Sequence, residues 1–106
     1  MPKYLVRVSY TTEGAKGVLK DGGSARRKAA EDAVAAVNGK VEAFYFAFGE
    51  DDAFLIIDVP DPTSAAALAL TVAATGTIDS SMTVLITPEE IDEAARKHVA
   101  FRPPGK

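Results

Sequence analysis

Residues 44–58 read FYFAFGEDDAFLIID, and the fold turns on how this stretch is understood. Two strand-like apolar runs meet at an acidic turn, Gly49-Glu50-Asp51-Asp52, of the length that joins antiparallel neighbours. A strand with one wet side alternates apolar and polar residues, because successive side chains point to opposite faces. Here aromatic and aliphatic groups occupy both parities, so each side of this hairpin has to be covered.

Working outward, Tyr4–Tyr10 alternates, with Tyr4, Val6, Val8 and Tyr10 on one face and Leu5, Arg7 and Ser9 on the other. Thr11–Gly23 holds four glycines and is expected to be a loop containing one short helical turn around Ala15–Leu19. Ser24 is a suitable N-cap for a helix that runs to Val37 and stops at Asn38-Gly39. Its inward stripe is Ala30, Ala33, Val34 and Val37. The cations Arg26, Arg27 and Lys28 stand at the end of the helix dipole that prefers anions, which makes Arg26 and Arg27 interesting.

Lys40–Phe48 and Ala53–Val59 are the two strands of the hairpin. Asp61-Pro62 opens an alanine-rich helix that ends at Gly76, Thr77–Ile86 is a fourth strand, and Pro88–Lys97 a short last helix with acids first and bases last. The order strand, helix, strand, strand, helix, strand predicts an α+β, ferredoxin-like four-stranded antiparallel sheet with its helices on one face. The predicted domain spans residues 1–98, followed by a tail, 99–106. An apolar sheet face left bare by the helices predicts a homodimer or higher homo-oligomer that buries it against a second copy.

A chain of 106 residues, 47% hydrophobic and 25% charged, has the length and balance of one globular domain. It has no cysteine, so packing rather than disulfides must hold it, which suits a cytoplasmic setting. No signal-like or membrane-spanning apolar run is present, and a net charge of −3 with scattered basic residues argues against nucleic acid and membrane as partners.

The candidate ligand-binding residues fall into three groups. Tyr10, Thr11 and Gly14 close the first strand, where hydroxyls and backbone N–H groups face a small anion and Arg26 supplies charge; the structural alternative is a turn that needs Gly14 for positive φ. Arg7 and Tyr45 project from the sheet, Arg7 either pairing with Asp58 across neighbouring strands or holding a carboxylate. Asp52 ends the acidic turn. The run Glu50-Asp51-Asp52 lacks the alternate oxygen spacing of a calcium loop, and His98 is the single histidine, so neither a metal nor another cofactor is expected.

Tyr10-Thr11-Thr12-Glu13-Gly14, Arg26, Asn38-Gly39-Lys40-Val41-Glu42-Ala43-Phe44-Tyr45, Gly49-Glu50-Asp51-Asp52, Val59-Pro60-Asp61, Gly76 and Thr87-Pro88-Glu89-Glu90 follow an order that resembles the GYD-domain family over nearly the whole chain. That family resembles the dimeric α+β barrel superfamily, which pairs two ferredoxin-like sheets face to face. The signature Gly-x-Tyr-Asp is here Gly49-Glu50-Asp51-Asp52, with Asp52 at the aspartate and Asp51 in place of the tyrosine. The resemblance carries no assigned activity. It implies a homo-oligomeric module that binds a small molecule or serves an accessory role. The alternative is a cofactor-free enzyme, monooxygenase- or isomerase-like, acting on a small organic substrate between the sheet and the helices or partner.

Overall fold

A computed structural model describes residues 1–106. The elements are β1 (Lys3–Tyr10), α1 (Thr12–Asp21), α2 (Gly23–Ala35), β2 (Lys40–Phe46), β3 (Ala53–Asp58), α3 (Pro62–Ala74), β4 (Ile78–Leu85) and α4 (Pro88–Ala95). All strand pairs are antiparallel and the sheet order is β2-β3-β1-β4, the ferredoxin-like arrangement. No helix is long and apolar enough to cross a membrane.

Side-chain caps fix where α1, α3 and α4 begin; α2 starts after Gly22 without one, and Ser24, expected as its N-cap, lies inside the helix. The Asp61 carboxylate accepts from the Ser64 N–H at 2.8 Å, with Pro62 in the first helical position. Thr87 and Glu90 form a reciprocal capping box, each bond 3.0 Å, ahead of α4. Past the end of α2, Asn38 takes φ 63° and the Gly39 N–H returns to the Val34 carbonyl at 3.0 Å, which closes the last turn.

Two further sequence expectations need correction. Residues 12–21, expected as loop with one helical turn, form the ten-residue helix α1. Thr11 is its N-cap, accepting from the Gly14 N–H at 3.3 Å, and the glycine cost is met by packing. Gly14 is accordingly helical and not a positive-φ turn: a Cβ there would sit within 3.0 Å of the Thr77 carbonyl oxygen and 3.1 Å from the Tyr10 ring, so its role is close approach of α1 to β4. The second correction concerns Asp58, whose partner is not Arg7. Register places Lys3 opposite Asp58 and Phe54 opposite Arg7. Lys3 Nζ lies 3.0 Å from the buried Asp58 carboxylate and also bonds Glu42.

The core lies between the sheet and the helices. Tyr4, Val6 and Val8 of β1 and Ala53, Leu55 and Ile57 of β3 pack against Val34 of α2 and Ala65 and Leu68 of α3. A β-bulge between Val41 and Ala43 shifts the parity of β2. Phe44 and Phe46 therefore pair with Leu55 and Ala53 on the helix side, whereas Ala43 and Tyr45 join Ile56 and Phe54 on the open side. Alternation sends consecutive aromatics to both faces, and the bulge sets that Phe44 and Phe46 are the ones facing the helices.

The open face carries a transverse row Tyr45, Phe54, Arg7 and Ser81, and beside it Ala43, Ile56, Leu5 and Thr83. Tyr45 is 71% exposed. Every residue from Pro88 to Lys106 is exposed, including Ile91, Val99 and Phe101. The radius of gyration is 17.0 Å, against about 13 Å for a compact chain of this length. α4 and the residues after it thus stand away from the core.

Acid sensitivity follows from three carboxylates. Burial works to raise the Asp58 carboxyl, but hydrogen bonds with Glu42 and Lys3 and the charges of Lys3 and Lys40 hold it below its ordinary value. Backbone hydrogen bonds at the caps lower Asp61 and Glu90 in the same way. A depressed folded pKa contributes stability above the unfolded value and loses it as pH falls through the folded one. Denaturant unfolding from pH 7 downward is therefore expected to show a plateau that declines below about pH 4, with Asp58→Asn flattening part of the decline.

Candidate functional site

Between α2, α3 and the helix side of the sheet lies a pocket of about 110 Å³. Fourteen of its sixteen lining residues are hydrophobic, and the exceptions are Arg26 and Ser80. Val8 and Leu55 contribute from the sheet, Ala30 and Val34 from α2, Leu68 and Val72 from α3, and Met82 from β4. The alanines of α2 and α3 leave this space because a methyl group cannot fill the gap that a leucine would.

The rim is built by the end of β1. Tyr10, Arg26 and Ile78 line both the pocket and a smaller hollow of about 70 Å³ beside it, to which Glu13, Gly14, Gly17 and Thr77 also contribute. Tyr10 and Phe46 stack with ring centroids 6.5 Å apart, and Phe46 meets Phe44 edge-on at 5.1 Å. Phe46 also lies over Gly23, where a Cβ would come 3.0 Å from the ring. An aromatic wall thus runs from the first turn of α2 to the pocket.

Two hydrogen-bonded contacts hold this rim in place. The Asp52 carboxylate accepts from the Tyr10 N–H at 2.8 Å, while the Asp52 N–H donates to the Val8 carbonyl at 2.7 Å. Thr11 donates its N–H to the Thr77 carbonyl at 3.0 Å and its hydroxyl to the Gly76 carbonyl at 2.9 Å. Asp52 and Thr11 therefore act on the backbone that carries Tyr10 and have no free polar atom aimed into the pocket. Substituting Asp52 by Ala leaves the Tyr10 N–H without its charged partner and is expected to cost about 1–3 kcal/mol in denaturant unfolding.

Arg26 is the one cation of the rim, with Glu13 lining the same hollow. Arg26 takes part in none of the chain's ion pairs, which belong to Lys3, Lys16 and Lys28. Burial pushes the Tyr10 phenol above its ordinary value; the Arg26 charge and its hydrogen bonding to the phenol oppose that shift and the Asp52 charge adds to it. Tyr10 is accordingly a neutral donor throughout the physiological range, beside a guanidinium that lacks a counter-ion.

The structure thus separates the seven sequence candidates. Tyr10, Gly14 and Arg26 come together at the rim, with Thr11 and Asp52 positioning them. Arg7 and Tyr45 lie on the opposite face of the sheet, separated by Phe54. His98 is exposed beyond α4. Sequence reading missed the pocket walls, Met82, Leu68 and Val72 among them, whose apolar spacing marks a core face and carries no sign of a gap.

Comparison with known proteins bears on the fold and the family. No curated protein matches the chain. The solved structure titled MtbAldR aligns with a TM-score of 0.59 at 17% sequence identity, covering 97% of this chain and 59% of that one, a likeness of fold alone. The GYD domain family model matches residues 4–95, a span that includes all of the sheet but its first residue, α1 to α4 and the pocket rim. The chain belongs to the GYD domain family.

Proposed function

We propose that this GYD domain is a homo-oligomeric small-molecule-binding protein, with one ligand per chain in the pocket between the sheet and α2 and α3. The observation that carries this reading is the pocket itself: an apolar space with a polar rim at one place only. Ligand sites are commonly apolar concavities oriented by a few polar groups. An apolar cavity of roughly 150 Å³ takes up benzene, so a space of about 110 Å³ suits a molecule of one ring or a short chain. Its lining has no carboxylate or imidazole to accept a proton, which favours binding over the enzymatic alternative.

The chain has two methionines, Met1 and Met82, and Met82 lines the pocket. Methyl-labelled methionine therefore provides a direct readout by NMR. One-ring compounds are expected to shift the Met82 signal in a saturable way and leave Met1 unmoved. If neither signal responds at millimolar ligand, the binding reading fails.

Self-association is supported by the open face, where Leu5, Ile56, Phe54 and Tyr45 form an apolar patch around Arg7. The exposed α4 and the apolar side chains beyond it add further surface. Specific interfaces bury about 800 Å² per partner, and a patch spanning three of the four strands is of the right scale. Sedimentation equilibrium is expected to give a dimer or larger species for the native chain, and Ile56→Asp, which puts a carboxylate at the centre of the patch, is expected to yield folded monomer. A native chain that stays monomeric at high concentration would contradict this part of the reading.

A further inference from the structure

Arg26 and Tyr10 do more than mark the mouth of the pocket; together they specify the ligand's head group. The Arg26 side chain is half-buried, and the pocket it borders has only Ser80 as another non-hydrophobic lining residue. It has no carboxylate partner within the chain. A cation at an apolar surface without a counter-ion is an unspent source of binding energy, because a guanidinium presents paired N–H donors in one plane.

We infer that the ligand is a compact monocarboxylate, its hydrocarbon part among the apolar walls and its carboxylate at Arg26 and the Tyr10 hydroxyl. This inference rests on the binding reading above and goes further by naming the chemistry of the ligand. Three features narrow the class. Volume limits the apolar part to about one ring or a short branched chain. The rim has one arginine, and Glu13 lines the adjoining hollow while Asp52 stands behind Tyr10. With Arg26 the one cation beside two carboxylates, each further negative charge on a ligand adds repulsion, so a monoanion is favoured over a phosphate dianion. Tyr10 is a neutral hydroxyl that donates to an acceptor oxygen, so a carboxylate satisfies it and an ammonium group does not. The aromatic wall of Tyr10, Phe46 and Phe44 favours a ring over a plain chain through edge and stacking contacts.

The experiment compares benzoate with benzyl alcohol, which has the same ring and no charge, using the Met82 methyl signal and calorimetry. The wild-type chain is expected to bind benzoate about 10- to 100-fold more tightly, the range of a hydrogen-bonded charge pair. Arg26→Ala should erase that difference and leave benzyl alcohol unaffected; Arg26→Lys should keep part of it; Arg7→Ala, on the other face, should change nothing. Tyr10→Phe should weaken benzoate several-fold and benzyl alcohol by less, since a charged acceptor makes the stronger bond. Equal binding of the two compounds by the wild-type chain would overturn the head-group inference while the pocket reading survives. Benzoate binding lost in Arg7→Ala and kept in Arg26→Ala would also overturn it. Absence of binding by both compounds would overturn the inference together with the reading beneath it.

Discussion

Gly14→Ala is expected to destabilise the domain by about 3 kcal/mol, the upper part of the usual range for overpacking. The reason is geometric. A Cβ at this position would press on the Thr77 carbonyl oxygen, with the Thr77 carbonyl carbon at 3.0 Å and the Tyr10 ring at 3.1 Å. Two of these three atoms are backbone at the start of β4, where the Thr77 carbonyl also accepts from Thr11. They cannot rotate away as a side chain would. Relief requires α1 to move off the sheet, which breaks the Thr11 contacts and opens the rim. Alanine has the better intrinsic helix propensity by about 1 kcal/mol, so a naive reading of an exposed helix predicts the opposite sign. Thermal unfolding decides between them: a fall in midpoint of roughly 10–20 °C is expected, whereas Gly17→Ala, in the same helix with open space around it, is expected to hold or raise the midpoint.

The second large effect is on binding. Ala69 of α3 lines the pocket, and Ala69→Leu places three further carbons in a space sized for a single ring. Ligand affinity is expected to fall by about 100-fold or more, roughly 3 kcal/mol. Stability should stay within about 1 kcal/mol or improve, because the new side chain buries apolar surface and leucine suits a helix. This pairing of lost binding with kept stability separates a ligand pocket from a packing defect. If Ala69→Leu stabilises the chain and small aromatics still shift Met82, the ligands lie elsewhere.

Much of the fold was legible because its determinants are local. Alternation in Tyr4–Tyr10, the Asp61-Pro62 start, the Pro88 start with its acids first and the Asn38-Gly39 stop each express one element's own physics. Helix α1 was not legible, since Gly14, Gly17, Gly22 and Gly23 read as a loop until the close approach to Thr77 explains Gly14. The bulge at Val41–Ala43 was hidden for a similar reason: it exists only in relation to β3. The pairing of Asp58 with Lys3 in place of Arg7 depends on register, which residue types alone do not set. At the site, Tyr10, Gly14 and Arg26 were visible because they cluster around one strand end. A cavity between sheet and helices was expected, but its walls were not legible, because a gap arises from where α2 and α3 sit and leaves no mark on the residues that line it.

A structure of the crystalline protein soaked in benzoate tests the account most directly. The account predicts the ring between α2, α3 and the sheet, in contact with Leu55 and Met82, with its carboxylate at Arg26. A pocket closed by α3 resting on Val6 and Val8, or benzoate bound at Arg7 on the open face with the pocket empty, would contradict it.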